Sequence, residues 1–291
     1  MGIPLLPPKN KGKKNILAVI LCAGKGTRLN EHSNKIKIPK PLIKIENESI
    51  LEILINTLYL HKIERIILVK GYLGHEIENF AIRFRTDQKI PSAHLSVIDA
   101  GEDYKLGPLH SFLSITKDQS FFFDTHYFLI VPGDIILESG LLSEVLKKID
   151  ETSYTNPIIF YQDLKPITLR HRIISIAQDQ EKEGIKVLKK IVQLDLKNLS
   201  DFSTIQQVIP IFFVDYSFIK KISHVETIKS FKTIREIINF LIIKGEIVNL
   251  VRVNEKFTFY DIDYKSDIEY YLNYHALKDG AFSHSSGKKE K

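Results

Sequence analysis

The apolar run Ile16-Leu17-Ala18-Val19-Ile20-Leu21-Cys22 passes through Ala23 and then meets two glycines one residue apart, Gly24 and Gly26. A run of this length with no polar alternation is the pattern of a strand buried on both faces, as in a parallel sheet. Glycine has no Cβ, so the chain can turn sharply there and leave its N–H groups bare. Successive N–H groups in such a turn form a concavity suited to an anion. Lys25, Arg28 and Lys40 add fixed positive charge around the same loop. An arginine can hold phosphate through two parallel hydrogen bonds. These residues suit a triphosphate.

Two familiar glycine loops do not fit. A Walker A loop requires Gly-x-x-x-x-Gly-Lys-Ser/Thr, and that spacing does not occur. A dinucleotide fingerprint requires a third glycine where this chain has Leu29. The segment Ala23-Gly24-Lys25-Gly26-Thr27-Arg28-Leu29, followed by Pro39-Lys40-Pro41-Leu42, is far more specific than a lone Gly-x-Gly. With that pair the chain resembles the sugar-phosphate and related nucleotidyltransferases, of MobA-like or sugar-1-phosphate and cytidylyltransferase type. Their motif is Gly-x-Gly-Thr-Arg followed by Pro-Lys.

The formal net charge of +6 suggests nucleic acid until it is located. Lys9, Lys11, Lys13 and Lys14 stand in the first 14 residues without an acid, and Lys288, Lys289 and Lys291 face only Glu290 at the other end. The excess lies in the tails, whereas a groove tracking a phosphate backbone needs charge on the folded body. No nucleic-acid partner is expected. No run of ~18 apolar residues is present for a membrane span. Pro4, Pro7, Pro8 and the lysines after them do not form the apolar centre of a signal peptide. The single cysteine, Cys22, rules out a disulfide framework within the chain and suits a reducing cytoplasm. Its end-of-strand position reads as a small core residue.

Beyond Ile16 strands and helices alternate, which predicts a single α/β domain with a mixed, mostly parallel sheet and helices on both faces. The expected bounds are a basic tail over 1–14, one domain over 15–279, and a second tail over 280–291. Within the domain, 15–150 would bind nucleotide and 151–279 would supply the acceptor half. The pattern predicts helices over 49–62, 75–85, 233–244 and 267–277, and others opening near Pro108 and Ser139. Strands are predicted over 65–70, 94–98, 127–131, 158–161, 173–177, 187–193, 209–214 and 247–253. Residues 179–186 read as a hairpin turn or loop, and Arg170, His171 and Arg172 as a basic cluster on a loop. Gly107, ahead of Pro108, is free to bring backbone close to a ligand.

The strand ending at Val131 runs into Pro132-Gly133-Asp134. Open α/β sheets bind ligands beyond the carboxyl ends of their strands, so Asp134 should enter the crevice of the Gly24 loop. A carboxylate beside a triphosphate makes sense with a hard cation between them, and Mg²⁺ takes one or two carboxylates plus phosphate oxygens. Near the C-terminus, Phe257-Thr258-Phe259-Tyr260-Asp261-Ile262-Asp263-Tyr264 reads as a strand with Asp261 and Asp263 on one face. Two like charges there call for a cation or for donors. Ser266 is expected to cap the last helix.

The resemblance, running from about Ile16 to Leu277, implies a Rossmann-like α/β/α domain of the type shared with many nucleotide-sugar glycosyltransferases. It implies that Ala23, Gly24, Lys25, Gly26, Thr27 and Gly107 bind the nucleotide, with Arg28 at the β- and γ-phosphates and Lys40 at the α-phosphate. Asp134 with Asp261 or Asp263 would hold Mg²⁺. The implied reaction is transfer of a nucleoside monophosphate from a triphosphate, with CTP or UTP and dTTP favoured, to a sugar-1-phosphate or other phosphorylated small molecule, with release of pyrophosphate. Such a transfer needs no covalent nucleophile, and no Ser-His or Cys-His pairing stands out. The chain departs from the family pattern in lacking a mid-chain Glu-Lys-Pro, in carrying Pro210 before a late strand, and in lacking Trp and Thr around Asp261. Base, acceptor and any homo-oligomeric state stay open. Two alternatives are a glycosyltransferase of similar fold and a non-catalytic binding relative.

Overall fold

The computed structural model describes residues 15–26, 38–92, 94–123, 125–151, 156–164, 173–182, 185–195 and 205–283. The expectations for Thr27, Arg28, residues 170–172 and residues 1–14 lie outside the described residues.

The strand predicted first is β1 (Ile16–Leu21), whose four central residues are buried. Next come a small hairpin, β2 (Lys44–Ile45) and β3 (Glu48–Ser49), then helix α1 (Ile50–Leu60), strand β4 (Arg65–Lys70) and helix α2 (Gly74–Gln88). Strand β5 (Leu95–Asp99), short helix α3 (Pro108–Leu113), strands β6 (Tyr127–Pro132) and β7 (Ile135–Leu137) and helix α4 (Ser139–Glu151) complete the first half. The second half contains β8 (Ile158–Leu164), β9 (Ile173–Lys182), β10 (Ile185–Asp195), β11 (Ile205–Asp215), α5 (Tyr216–Ile228), α6 (Ile234–Ile243), β12 (Asn249–Arg252), β13 (Phe259–Asp261) and α7 (Lys265–Ser283).

Nine strands form the main sheet in the order β5-β4-β1-β6-β11-β8-β12-β10-β9. The first four are parallel, as is the β12–β8 pair. The remaining neighbours are antiparallel. The sheet is therefore mixed, parallel mainly in its N-terminal half, which corrects the mostly parallel expectation. The reason is local. The charged stretch read as a hairpin turn or loop over 179–186 is largely strand, and it extends the neighbours β9 and β10 into one long ladder where Ile185 faces Lys182. Adjacent strands joined by a tight connection must run antiparallel.

Side chains alternate across β1. Leu17 and Val19 enter a core with α3, α5 and α6, through Leu109, Phe112, Phe218 and Ile237. Ala18 and Ile20 enter another with α1, α2 and α4, through Leu51, Leu54, Ile77 and Leu141. Helices thus cover both faces of the sheet, and β1 lies between β4 and β6 with its carboxyl end leading into the glycine loop. In α1, Ser49 and Glu52 form a reciprocal capping box. A similar box, Thr233 with Glu236, starts α6. Helix α7 begins before the expected Ser266 and passes the expected domain limit at 279. Its start is secured by Asp267, whose Oδ2 accepts the N–H groups of Asp263 (2.8 Å) and Tyr264 (2.6 Å).

Candidate functional site

The glycine loop leaves β1 between two neighbouring strands. Cys22 N–H donates to the Val69 carbonyl of β4 at 2.9 Å, and Tyr72 N–H donates to the Ala23 carbonyl at 3.1 Å. On the other side Gly133 N–H donates to the Leu21 carbonyl at 3.0 Å. A Cβ on Gly133 would meet Cys22 Sγ and the Leu21 carbonyl at 2.9 Å, so only glycine lets the turn before Asp134 lie against β1. A Cβ on Gly24 would meet nothing within 4 Å, whereas a Cβ on Gly26, at φ +56°, would fall 2.7 Å from the Lys40 Cβ.

Lys40 opens a short 3₁₀ turn preset by Pro39 and Pro41, where Leu42 N–H donates to the Pro39 carbonyl at 2.8 Å. This turn points the buried lysine inward. Its Nζ donates to Asp134 Oδ2 at 2.5 Å and to Asp263 Oδ1 at 2.7 Å. Burial alone would push the ammonium toward neutrality, but the charges of Asp134 and Asp261 and the two hydrogen bonds outweigh it. Lys40 stays charged well above the ordinary lysine range.

The carboxylates arrive by separate routes. Asp134 follows β6 and stands five residues ahead of α4, too early to cap that helix. Asp261 comes in on β13, which pairs antiparallel with β7 so that Asp261 faces Ile135, and Ile262 N–H donates to the Asp134 carbonyl at 3.1 Å. Glu138 braces this ladder by accepting from Thr258 N–H at 3.1 Å and from the Tyr260 hydroxyl at 3.4 Å. The strand stops at Asp261, so Asp263 does not share its face by alternation, contrary to the sequence expectation. It reaches the same point from the turn that Asp267 ties down. One oxygen each from Asp134, Asp261 and Asp263 lies within 4.8 Å of the others. Burial first, then Asp134 and Asp263, push the Asp261 carboxyl up to about 7, against the pull of Lys40. Burial and then Asp134 likewise raise the Cys22 thiol far above its ordinary value, which keeps it protonated in the core.

A cleft of about 250 Å³ is lined by Gly24, Gly26, Lys40, Asp134 and Asp263. Ala23 is buried beneath it, and Lys25 is exposed beside it. Gly107 is not among the lining residues. Its φ of +130° and its lack of a Cβ let the Lys232 carbonyl press against it, which explains the glycine by backbone packing. Beyond Asp263 a larger pocket of about 520 Å³ opens toward Gln193, Asp195, Gln207, Arg235 and Asp261. One of its walls is β11, where the register against β8 shifts between Val208 and Phe212 around Pro210, a residue with no N–H to give the ladder. Arg235, Glu138 and Asp267 escaped sequence reading, although Asp267 is recognisable as an acidic residue in the first turn of a predicted helix.

The carboxylate oxygens suit a hard divalent cation, and an ammonium between two of them marks a place where positive charge is stable. Among the described residues no helix is long and apolar enough to cross a membrane.

The chain is similar to several known proteins. "Bifunctional protein GlmU" of Methanococcus maripaludis is 32% identical over 139 residues, 48% of this chain and 29% of that protein. The UTP–glucose-1-phosphate uridylyltransferase of Synechocystis is 31% identical over 134 residues, 44% of this chain and 33% of that protein. The matched region is thus less than two thirds of the length of either curated relative. Among solved structures, the inositol-1-phosphate CTP transferase of T. maritima superposes with a TM-score of 0.63 at 15% identity, over 88% of this chain and 92% of that one. A UDP-glucose pyrophosphorylase of Acinetobacter baumannii gives 0.65 at 19%, over 90% and 93%. These two likenesses establish the fold. Residues 18–197, more than half of the sequence, match a family described as the MobA-like NTP transferase domain, and the chain belongs to that family.

Proposed function

We propose that this protein is a divalent-metal-dependent nucleotidyltransferase, with Mg²⁺ as the metal. It transfers a nucleoside monophosphate from CTP, UTP or dTTP to the phosphate of a sugar-1-phosphate or another phosphorylated small molecule, and releases pyrophosphate. The carrying observation is Lys40 bridging Asp134 and Asp263 at the floor of the glycine-loop cleft, with Asp261 beside them. The names of the relatives, which act on glucose-1-phosphate and inositol-1-phosphate, support the acceptor class.

The chain's own groups divide the work. Backbone N–H groups of Gly24 to Gly26 receive the triphosphate, and Arg28 adds charge at its outer phosphates. The Lys40 ammonium neutralises the charge that grows on the α-phosphate as the acceptor oxygen approaches. An acceptor phosphate oxygen forms the new bond to the α-phosphorus, and the bond from that phosphorus to the bridging oxygen breaks as pyrophosphate departs. The attacking oxygen is already ionised, so no general base is required. Asp134, Asp261 and Asp263 would hold the cation, which supplies further neutralisation of the phosphates when bound. Positioning and charge are the main demands of such a transfer.

The test is pyrophosphate release with Mg²⁺. CTP, UTP, dTTP, GTP and ATP are crossed with glucose-1-phosphate, inositol-1-phosphate, glycerol phosphate and phosphocholine, and Asp134→Asn serves as control. Release for one pair, lost in the variant, is the expected result. Nucleotide binding without release from any pair would favour a non-catalytic relative instead.

A further inference from the structure

The larger pocket is hostile to an anion. Asp195, Asp261 and Asp263 all line it, and its other walls are largely Ile, Val, Pro and Phe. A phosphorylated acceptor entering it carries up to two negative charges past these carboxylates. One cationic side chain lines this pocket among the described residues, Arg235.

Its placement is rigid. Arg235 lies in the first turn of α6, four residues before Asn239, and residues four apart share a helix face. The Asn239 side chain clamps the β10 backbone, accepting from Ile191 N–H at 2.8 Å and donating to the Ile191 carbonyl at 2.8 Å. That pair of hydrogen bonds fixes the shared face of α6 against the strand. Along β10, Gln193 and Asp195 follow Ile191 on one side by alternation, and all three line the pocket with Arg235. Despite these neighbours, Arg235 makes no hydrogen bond or ion pair of its own among the described residues. A half-buried guanidinium on a fixed helix, with its donors uncommitted, is built to receive a planar or tetrahedral oxyanion.

We propose that Arg235 is the specificity-determining anchor of the acceptor pocket, and that it selects a phosphomonoester by gripping the phosphate oxygens. This inference rests on the reading of the larger pocket as the acceptor site. Gln193 and Gln207 then face the body of the acceptor, where amides serve hydroxyl groups. A neutral sugar leaves the guanidinium unpaired and binds poorly.

Calorimetric titration in EDTA without nucleotide tests it, with inorganic phosphate, glucose-1-phosphate, inositol-1-phosphate, glycerol phosphate and phosphocholine as probes and glucose as the neutral control. The full chain should bind at least one phosphomonoester, and glucose far more weakly. Arg235→Ala should weaken that binding by about tenfold or more, as expected for hydrogen bonds to a charged group. Arg235→Lys should restore part of it, and CTP and UTP binding should not change in either variant. Circular dichroism verifies folding of both. Absence of phosphomonoester binding to the wild type, undiminished binding to Arg235→Ala, or an equal loss of nucleotide binding each overturns the assignment. Arg235-dependent binding combined with no pyrophosphate release would leave this assignment standing and remove the transferase reading. Release unaffected by Arg235→Ala would do the reverse.

Discussion

Asp261→Asn should stabilise the protein when no metal is present and destabilise it, relative to wild type, when metal is. Burial and the neighbouring carboxylates move the Asp261 carboxyl from its ordinary 3.8 to about 7. Between about pH 4 and pH 7 the folded chain keeps a proton that the unfolded chain has released. Stability falls with rising pH wherever the native state binds more protons. At about 1.4 kcal/mol per pH unit the whole window is worth about 4 kcal/mol at most. Asp261 is only half-buried, and solvent screening lowers the expected cost to about 1–2 kcal/mol. Asparagine cannot ionise, so in EDTA at pH 8 the variant should gain that 1–2 kcal/mol, and at pH 5 it should gain clearly less. Mg²⁺ reverses the order, because a ligand at a hundredfold its dissociation constant adds about 2.7 kcal/mol to the wild type, and the variant has lost a ligand oxygen. Urea unfolding of both proteins at pH 5 and pH 8, in EDTA and in MgCl₂, measures all four cases. The reasoning fails if Asp261→Asn is less stable than wild type at pH 8 in EDTA, or if the difference does not vary with pH.

Gly26→Ala places a Cβ at φ +56° and 2.7 Å from the Lys40 stem, so it should cost about 2 kcal/mol in urea unfolding and weaken nucleotide binding measured by calorimetry. Lys40→Met keeps the stem but removes the ammonium, and should slow pyrophosphate release by about a hundredfold or more. A near-normal rate would refute its role in neutralising the α-phosphate. Asp267→Ala releases the N–H groups of Asp263 and Tyr264. It should cost about 1–2 kcal/mol in the same unfolding assay and lower Mn²⁺ affinity, read by electron paramagnetic resonance, by about tenfold. Asp267→Asn, which keeps one acceptor oxygen, should recover most of both.

The N-terminal half was legible because its signals are local. A run of seven apolar residues such as Ile16–Cys22, ended by glycines, has the length and flanks of a buried strand, and Gly24, Gly26 and the Pro39-Lys40-Pro41 turn act within a few residues of themselves. Asp134 followed from the rule that ligands sit beyond strand carboxyl ends, and it does stand beside Lys40. The C-terminal half resisted for the opposite reason. Arg235 reaches its pocket through the packing of Asn239 on a strand far from it in sequence, and a single arginine on an amphipathic helix carries no periodic signal. Asp263 reached the cluster through a turn held by Asp267 rather than through strand alternation, a difference that composition cannot reveal. The antiparallel ladders reach further than the sequence implies because the charged residues 179–182, which suggest a hairpin turn or loop, are the last residues of strand β9.

The β7–β13 ladder has a consequence for how the protein matures. Glu138 and Tyr260, which brace it, are 122 residues apart in sequence, and Lys40 and Asp263 are 223 apart. Strands β1, β4, β5 and β6 can assemble from short βαβ segments, whereas this ladder closes one of the longest loops in the chain and must form late. Until it closes, the glycine loop and Lys40 exist without Asp261 and Asp263. A half-synthesised or partly opened chain can therefore form the glycine loop and place Lys40 but cannot gather the three carboxylates. The ladder makes the gathered carboxylate cluster a certificate that folding has finished.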